Sequence, residues 1–266
     1  MSDRYAVIGN PVAHSKSPWI HLRFARDCGQ DIDYGRIESP LDGFAAAVDA
    51  FRAAGGKGLN VTLPFKEQAR RYCERVSARA AQVVNTLVFD GGVFGDNTDG
   101  VGLVRDLCVN LGVELGGRRV LLMGAGGAAQ GVVGALLEAG VGQLVIANRT
   151  LARAQALAAR HPGVTATGYA SLSGRADIVV NATSAGLRGE APALPRGVLG
   201  KGTLAYDMVY DRDTPFLAAA RAADARISDG LGMLVEQAAE SFLLWRGLRP
   251  ETGAILAELR AELHPG

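Results

Sequence analysis

Apolar residues come in short blocks that change period along the chain. Tyr5-Ala6-Val7-Ile8 reads as a strand that stops at Gly9. Helical spacing follows over 18–28, a strand near 33–37, a helix over 41–54 and a strand over 58–63. Gly55-Gly56, Gly91-Gly92, Gly95 and Gly100 fall between the periodic segments, where turns need glycine. A second series starts after Arg118: a strand over 120–123, a glycine-rich turn, a helix to 139, a strand over 144–147, a helix over 152–160, and strands over 178–180 and 204–209. Repeated β-α-β units of this kind predict a parallel sheet covered by helices on both faces. A helix over 102–111 joins the two series. The tail, with helices over 233–245 and 252–263, has no strand of its own and is expected to pack on the first series.

The predicted class is therefore α/β, with two α/β domains around a cleft. Residues 1–101 plus 233–266 form the first domain, and 102–232 form a Rossmann-type doubly wound parallel sheet. A length of 266 residues suits two domains.

Composition narrows the chemistry by exclusion. Lys and Arg number 28 against 27 Asp and Glu, a net charge of +1, so nothing points to a nucleic-acid or membrane surface and an anionic ligand must be held locally. Cys28, Cys73 and Cys108 are odd in number and widely spaced, which predicts neither a disulfide framework nor a thiolate metal site and fits a reducing compartment. His14, His21, His161 and His264 have no metal-ligand spacing. The first residues lack the apolar core of a secretion signal, and no apolar run reaches the ~18 residues of a membrane span, so a cytoplasmic location is expected.

Residues 124–129, Gly-Ala-Gly-Gly-Ala-Ala, follow an apolar strand directly and open a helix. Glycines there permit a tight turn and let backbone N–H groups approach a pyrophosphate at the helix N-terminus. A small-residue packing turn has the same letters, but the strand-turn-helix context favours a dinucleotide. At the end of the next strand, where a carboxylate would bond an NAD ribose, stand Asn148-Arg149-Thr150 and then Arg153. Two guanidiniums one helical turn apart suit a 2′-phosphate, which predicts NADP(H).

Polar residues gather at other predicted strand ends and turns: Ser15-Lys16-Ser17, then Asn60, Thr62 and Lys66, then Asp96-Asn97-Thr98-Asp99 between Gly95 and Gly100. Helix capping and turn formation account for Ser15, Ser17, Asn97 and Asp99 singly. Their conjunction in a chain with a dinucleotide turn predicts a small-molecule substrate site, because ligands of open α/β sheets bind beyond the carboxyl ends of strands.

Nine stretches in order, "GNPVAHSKSPWIH", "NVTLPFK", "NTL", "GDNTDGVG", "GAGGAAQ", "NRTLARA", "NATSAG", "DMVY" and "DGLGMLVEQAAESF", resemble the shikimate dehydrogenase family nearly end to end. The resemblance implies NADPH-dependent reduction of 3-dehydroshikimate to shikimate, on the route to aromatic amino acids. It implies that Ser15 and Ser17 hold the substrate carboxylate, Thr62 and Asn85 bind hydroxyls, Lys66 and Asp99 are the catalytic pair, and Tyr210 and Gln237 are further substrate contacts. On the cofactor side it implies a pyrophosphate turn of Gly124, Ala125, Gly126, Gly127 and Ala128. Asn148, Arg149, Thr150 and Arg153 match the adenosine-phosphate clamp, and Thr183, Met208 and Gly230 the nicotinamide end. The chain departs from the family pattern in a shortened segment before Asn85 and a shortened loop after Tyr210.

Ketone reduction needs a hydride at carbon and a proton at oxygen, and a lysine ammonium suits the second task as a mobile, charged donor. Two rival readings are an NAD-using quinate/shikimate dehydrogenase, which calls for an acid at position 149, and a non-catalytic nucleotide-sensing module. A monomer or homodimer is expected.

Overall fold

The computed structural model describes residues 2–190 and 194–263, so His264 lies outside the described residues. Two compact units emerge: Met1–Gly102 with Val235–Leu259, and Leu103–Leu234 with Arg260–Gly266. Residues 260–263 thus group with the second unit, where Arg260 bonds Asp229 at 3.2 Å. Among the described residues, no helix is long and apolar enough to cross a membrane.

In the first unit a six-stranded sheet runs in the order β2-β1-β3-β5-β6-β4. Its strands are β1 (Asp3–Gly9), β2 (Ile32–Glu38), β3 (Gly56–Val61), β4 (Arg75–Val76), β5 (Thr86–Phe89) and β6 (Val93–Asp96). β1 lies parallel to both β2 and β3, whereas β5 is antiparallel to β3 and to β6. The sheet is therefore mixed, because Asp90-Gly91-Gly92 is too short for a crossover and turns the chain straight back as a hairpin. Helices α1 (Ser17–Asp27), α2 (Phe44–Ala53) and α3 (Lys66–Tyr72) belong to this unit.

Strand alternation sorts its core into two faces. Ala6, Ile8, Leu59 and Val61 pack with Phe44, Val48 and Phe65. Tyr5 and Tyr34 instead join an aromatic cluster with His21, Phe24, Phe242 and Trp245.

The chain passes from the first unit to the second and back inside two helices, and crosses once more inside a third at Leu259–Arg260. The first is α4 (Asp99–Arg105), which continues as a π-helical turn over Asp106–Asn110 and starts earlier than the apolar period predicts. The second is α8 (Leu231–Arg246), after which α9 (Gly253–Leu263) ends the described chain.

The second unit holds β7 (Arg119–Met123), β8 (Gln143–Ala147), β9 (Thr165–Thr167), β10 (Ile178–Asn181), β11 (Leu204–Asp207) and β12 (Arg226–Ser228), with α5 (Gly127–Glu138), α6 (Leu151–Ala158) and α7 (Pro215–Ala222). All its pairings are parallel, in the order β12-β11-β10-β7-β8-β9. The chain starts at β7 in the middle, builds to one edge, returns to β10 and builds to the other edge. Such a reversal is where doubly wound sheets bind dinucleotides. Val120, Leu122, Ile146 and Val180 face one apolar layer, and Leu121, Met123, Val145 and Val179 face the other.

Candidate active site and cofactor turn

The loops after β1 and β3 leave neighbouring parallel strands side by side. Asn10 N–H donates to Leu63 O at 3.0 Å, and Thr62 N–H to Ile8 O at 2.9 Å. Asn10-Pro11 and Leu63-Pro64 are both cis. Gly9 is required by the close approach, since a Cβ there would stand 2.5 Å from Thr62 Cγ2. Phe65 N–H closes a turn onto Thr62 O at 3.0 Å and buries its ring beside Phe44. Lys66 therefore begins α3, rather than trailing from a strand, and its stem rises from an anchored base.

Lys66 Nζ makes an ion pair with Asp99 Oδ2, and the two side chains are only 14% and 7% exposed. The other carboxylate oxygen, Oδ1, accepts from Asn85 Nδ2 at 2.8 Å. Asp99 N–H is in turn held by Asn97 Oδ1 at 3.0 Å. Asn85 is seated despite the shortened segment before it: its Oδ1 accepts from Thr98 N–H and Thr86 Oγ1, each at 2.9 Å, and its Nδ2 lies 3.4 Å from Gln237 Oε1 on α8. Thr98 interlinks through hydroxyls beneath it with Ser241 and, through Ser241, with Thr86, the latter two passed over by sequence reasoning.

The turn that carries Asp99 has a brace of its own. Arg79 grips Asp96 through Nε at 2.8 Å and Nη2 at 2.7 Å, and Ser77 Oγ adds a third bond. Burial by itself would raise the Asp96 carboxyl, but these partners outweigh it and hold the group below its usual range.

Ser15 and Ser17 flank the start of α1. Ser15 N–H donates to Val12 O at 3.0 Å, Ser17 N–H donates to Ser15 Oγ at 3.3 Å, and Ser15 Oγ donates to Ser17 Oγ at 3.2 Å. Asn60 departs from the expectation that it faces a ligand. It is buried, its Oδ1 accepts from Tyr34 Oη at 2.6 Å, and its Nδ2 faces Asn85 O, Thr86 Oγ1 and Ser241 Oγ. The fold uses Asn60 to join strands, because its position in β3 points it to the aromatic face.

The first unit thus gathers Ser15, Ser17, Thr62, Lys66, Asn85, Asp99 and Gln237, with Asn60 beneath them. Tyr210 belongs to the second unit. Its loop is pinned by buried Asp207, which accepts from Val209 N–H at 3.1 Å and Thr214 Oγ1 at 2.6 Å, while Thr214 caps α7. Burial outweighs these bonds and raises the Asp207 carboxyl.

Within that unit, Gly124 adopts φ +106°, and a Cβ would stand 3.0 Å from Ala182 O. Gly126 caps α5 in an extended conformation open to any residue, and a Cβ there would meet no protein atom within 4 Å. No internal packing demands glycine at 126. The open space over the N-terminus of α5 fits a pyrophosphate. Ala125, Gly127 and Ala128 complete that turn.

At the end of β8, Asn148 Nδ2 donates to Thr150 O at 2.9 Å, Thr150 is the N-cap of α6, and Arg149 and Arg153 are both exposed beside it. Two exposed guanidiniums at a helix N-terminus suit a phosphomonoester. Thr183 sits just past β10, its hydroxyl donating to Asn181 Oδ1 at 2.7 Å. Gly230 presses on Met208, whose carbonyl oxygen a Cβ would meet at 2.4 Å.

Comparison with known proteins places the chain. Family profiles match it as "shikimate dehydrogenase substrate binding domain" over residues 7–87, "shikimate / quinate 5-dehydrogenase" over 108–188 and "shikimate 5′-dehydrogenase C-terminal domain" over 230–260. The NADP(+) shikimate dehydrogenase of Alkalilimnicola ehrlichii is 57% identical over 270 residues, covering 98% of this chain and 100% of the relative. The chain belongs to the shikimate dehydrogenase family. Among solved structures, an Ael1 enzyme of Pseudomonas putida superposes with a TM-score of 0.92 at 50% identity, covering 97% of this chain and 98% of that one. The shikimate 5-dehydrogenase of Thermus thermophilus, solved in complex with NADP(H) and shikimate, gives 0.87 at 36% identity over 98% of this chain and 100% of its own. The shikimate dehydrogenase substrate-binding profile falls inside the first unit, and the 5-dehydrogenase profile inside the second.

Proposed function

We propose that this chain catalyses the reversible, NADPH-dependent reduction of 3-dehydroshikimate to shikimate. The observation that carries the reading is the Lys66–Asp99 pair, held through Asn85 in a chain that also carries a dinucleotide turn with Arg149 and Arg153 at its phosphate end. The bound cofactor supplies the hydride. Gly124 to Ala128 would hold its pyrophosphate, Asn148, Arg149, Thr150 and Arg153 its adenosine phosphate, and Thr183, Met208 and Gly230 would line the nicotinamide end.

The chain's own residues handle the proton and the pose. Ser15 and Ser17 hold the substrate carboxylate, while Thr62 and Asn85 take ring hydroxyls and Tyr210 and Gln237 add further contacts. Lys66 Nζ gives a proton to the ketone oxygen as the carbon is reduced, and its charge stabilises the developing alkoxide. Asp99 keeps Lys66 aimed and accepts a substrate hydroxyl. In the reverse direction Lys66 takes that proton back. A cytoplasmic setting fits the demand for NADPH.

The test is loss of NADPH absorbance on adding 3-dehydroshikimate, with Lys66→Ala alongside. Turnover by the wild type that collapses in the variant is expected. A wild type with no turnover returns the chain to nucleotide sensing.

A further inference from the structure

Strand β2 supplies none of the residues assigned above, yet one of its faces underlies the serine segment. Tyr34 and Arg36 are two residues apart and so share a face of the strand. Arg36 directs Nη2 and Nε at one atom, the Ser15 carbonyl oxygen, at 2.6 and 3.2 Å. Tyr34, buried, bonds Asn60 Oδ1 at 2.6 Å. Behind Tyr34 the neutral ring of His21 stacks at 4.3 Å with an interplanar angle of 5°.

The consequences for the serines follow from peptide geometry. A peptide unit is planar, so a guanidinium that fixes the Ser15 carbonyl also fixes the plane joining residues 15 and 16. That plane holds the backbone of Ser15, and the bonds from Ser17 N–H to Ser15 Oγ and from Ser15 Oγ to Ser17 Oγ carry the constraint to Ser17. The bonds from Ser15 N–H to Val12 O and between Ser15 and Ser17 are neutral, at 3.0–3.3 Å, whereas the contact from Arg36 is charge-assisted and shorter. Arg36 itself is an exposed residue, so its role in the core is small.

We infer that Arg36 is a positioning residue for the substrate carboxylate, acting through the Ser15 carbonyl on the pair Ser15 and Ser17. The inference rests on the reading that these serines hold that carboxylate. Arg36 also places a permanent positive charge behind a carboxylate subsite built of neutral hydroxyls, which favours the anion over a neutral analogue. It acts on substrate binding and leaves proton transfer at Lys66 alone.

Steady-state kinetics of shikimate oxidation by NADP+ test this with Arg36→Met, Arg36→Lys, Ser17→Ala and the Ser17→Ala/Arg36→Met double variant. Loss of a charge-assisted bond predicts a rise of about tenfold in KM for shikimate in Arg36→Met. KM for NADP+, kcat and the melting temperature should stay near wild type. Lysine keeps the charge and a donor, so Arg36→Lys should regain part of the loss. Residues acting through one another are non-additive, so the double variant should fall short of the product of the singles.

If Ser17→Ala raises the KM and Arg36→Met does not, the inference is wrong and the reading of the serines survives. An unchanged KM in Ser17→Ala removes that reading and the inference with it. Parallel changes in both KM values, kcat and melting temperature, or no recovery with lysine, mark Arg36 as a general brace and overturn its role as a positioning residue.

Discussion

Asn85 and Asp99 meet through a bond of 2.8 Å from the amide Nδ2 to Oδ1, while Lys66 occupies the other carboxylate oxygen. The carboxylate is thus fixed at both ends before any substrate arrives. Asn85→Ala should lower kcat and raise KM for shikimate together, and cost about 1–3 kcal/mol of stability from polar groups left unpaired beneath it. Urea titration and steady-state kinetics check this. Unchanged kinetics would show that Asp99 needs no second anchor.

Lys66 is the proton donor in the proposed reaction, and its backbone is tied to the fold's interior, where its carbonyl accepts from Val84 N–H at 3.1 Å. Lys66→Ala should reduce kcat by roughly 10²–10⁴-fold while substrate affinity changes far less, because the lost interaction belongs to the transition state. Single-turnover rates and equilibrium binding separate the two. A kcat within a few-fold of wild type rules Lys66 out as the acid.

Arg149 and Arg153 are exposed at the start of α6 and have no counterpart acid beside them in the segment 148–153. Replacing both by Ser should raise KM for NADPH by about tenfold or more and leave KM for NADH nearly unchanged, since only the former carries the extra phosphate. Equal effects on both cofactors would place the arginines elsewhere than at that phosphate.

His21 has neither ring nitrogen bonded among the described residues, and burial pushes its pKa down to about 3, with Asn60 a weaker opposing influence. An unfolded chain titrates histidine near 6.5. Between those values the unfolded state binds the extra proton, so the folded state loses stability as pH falls from about 6.5 toward 3, by up to about 1.4 kcal/mol per pH unit from this group. Urea midpoints for wild type and His21→Phe across that range should show a shallower acid decline in the variant. Equal slopes would mean that His21 ionises in the folded protein.

Gly230 faces backbone, not a side chain that can move: a Cβ would lie 2.4 Å from Met208 O. Gly230→Ala should cost about 1–3 kcal/mol and shift the Met208 segment, weakening NADPH binding. Thermal melts with and without NADPH measure both parts, and wild-type behaviour in both would show that the segment yields freely.

Local patterns carried much of this. The glycine turn at 124–129 and the absence of an acid near Arg149 spoke for the cofactor because turn chemistry and charge are properties of neighbouring residues. The period of the apolar runs located most helices and strands. Short elements escaped it: β4, β9 and β12 have too few residues to display a period, and α3 hides behind the prolyl turn that precedes Lys66. The hairpin of β5 and β6 was marked only by its Gly91-Gly92 turn.

Side-chain direction was the part no pattern carried. Asn60 and Thr62 differ by two positions in one motif, yet Asn60 is locked inward by Tyr34 and Ser241, residues 26 and 181 positions away. Nothing in the local sequence marks Arg36, and only its bond to Ser15 gives it a task.

By itself the sequence determined the α/β class, the dinucleotide turn and which polar residue types were available, since each follows from composition or from contacts within a few residues. Only tertiary structure decided which of those residues share a partner. Pairing Lys66 with Asp99 and Asn85 requires β3, β5 and the turn after β6 to be laid side by side in a mixed sheet. That juxtaposition is set by strand register and burial over the whole unit, and no local run of residues encodes it.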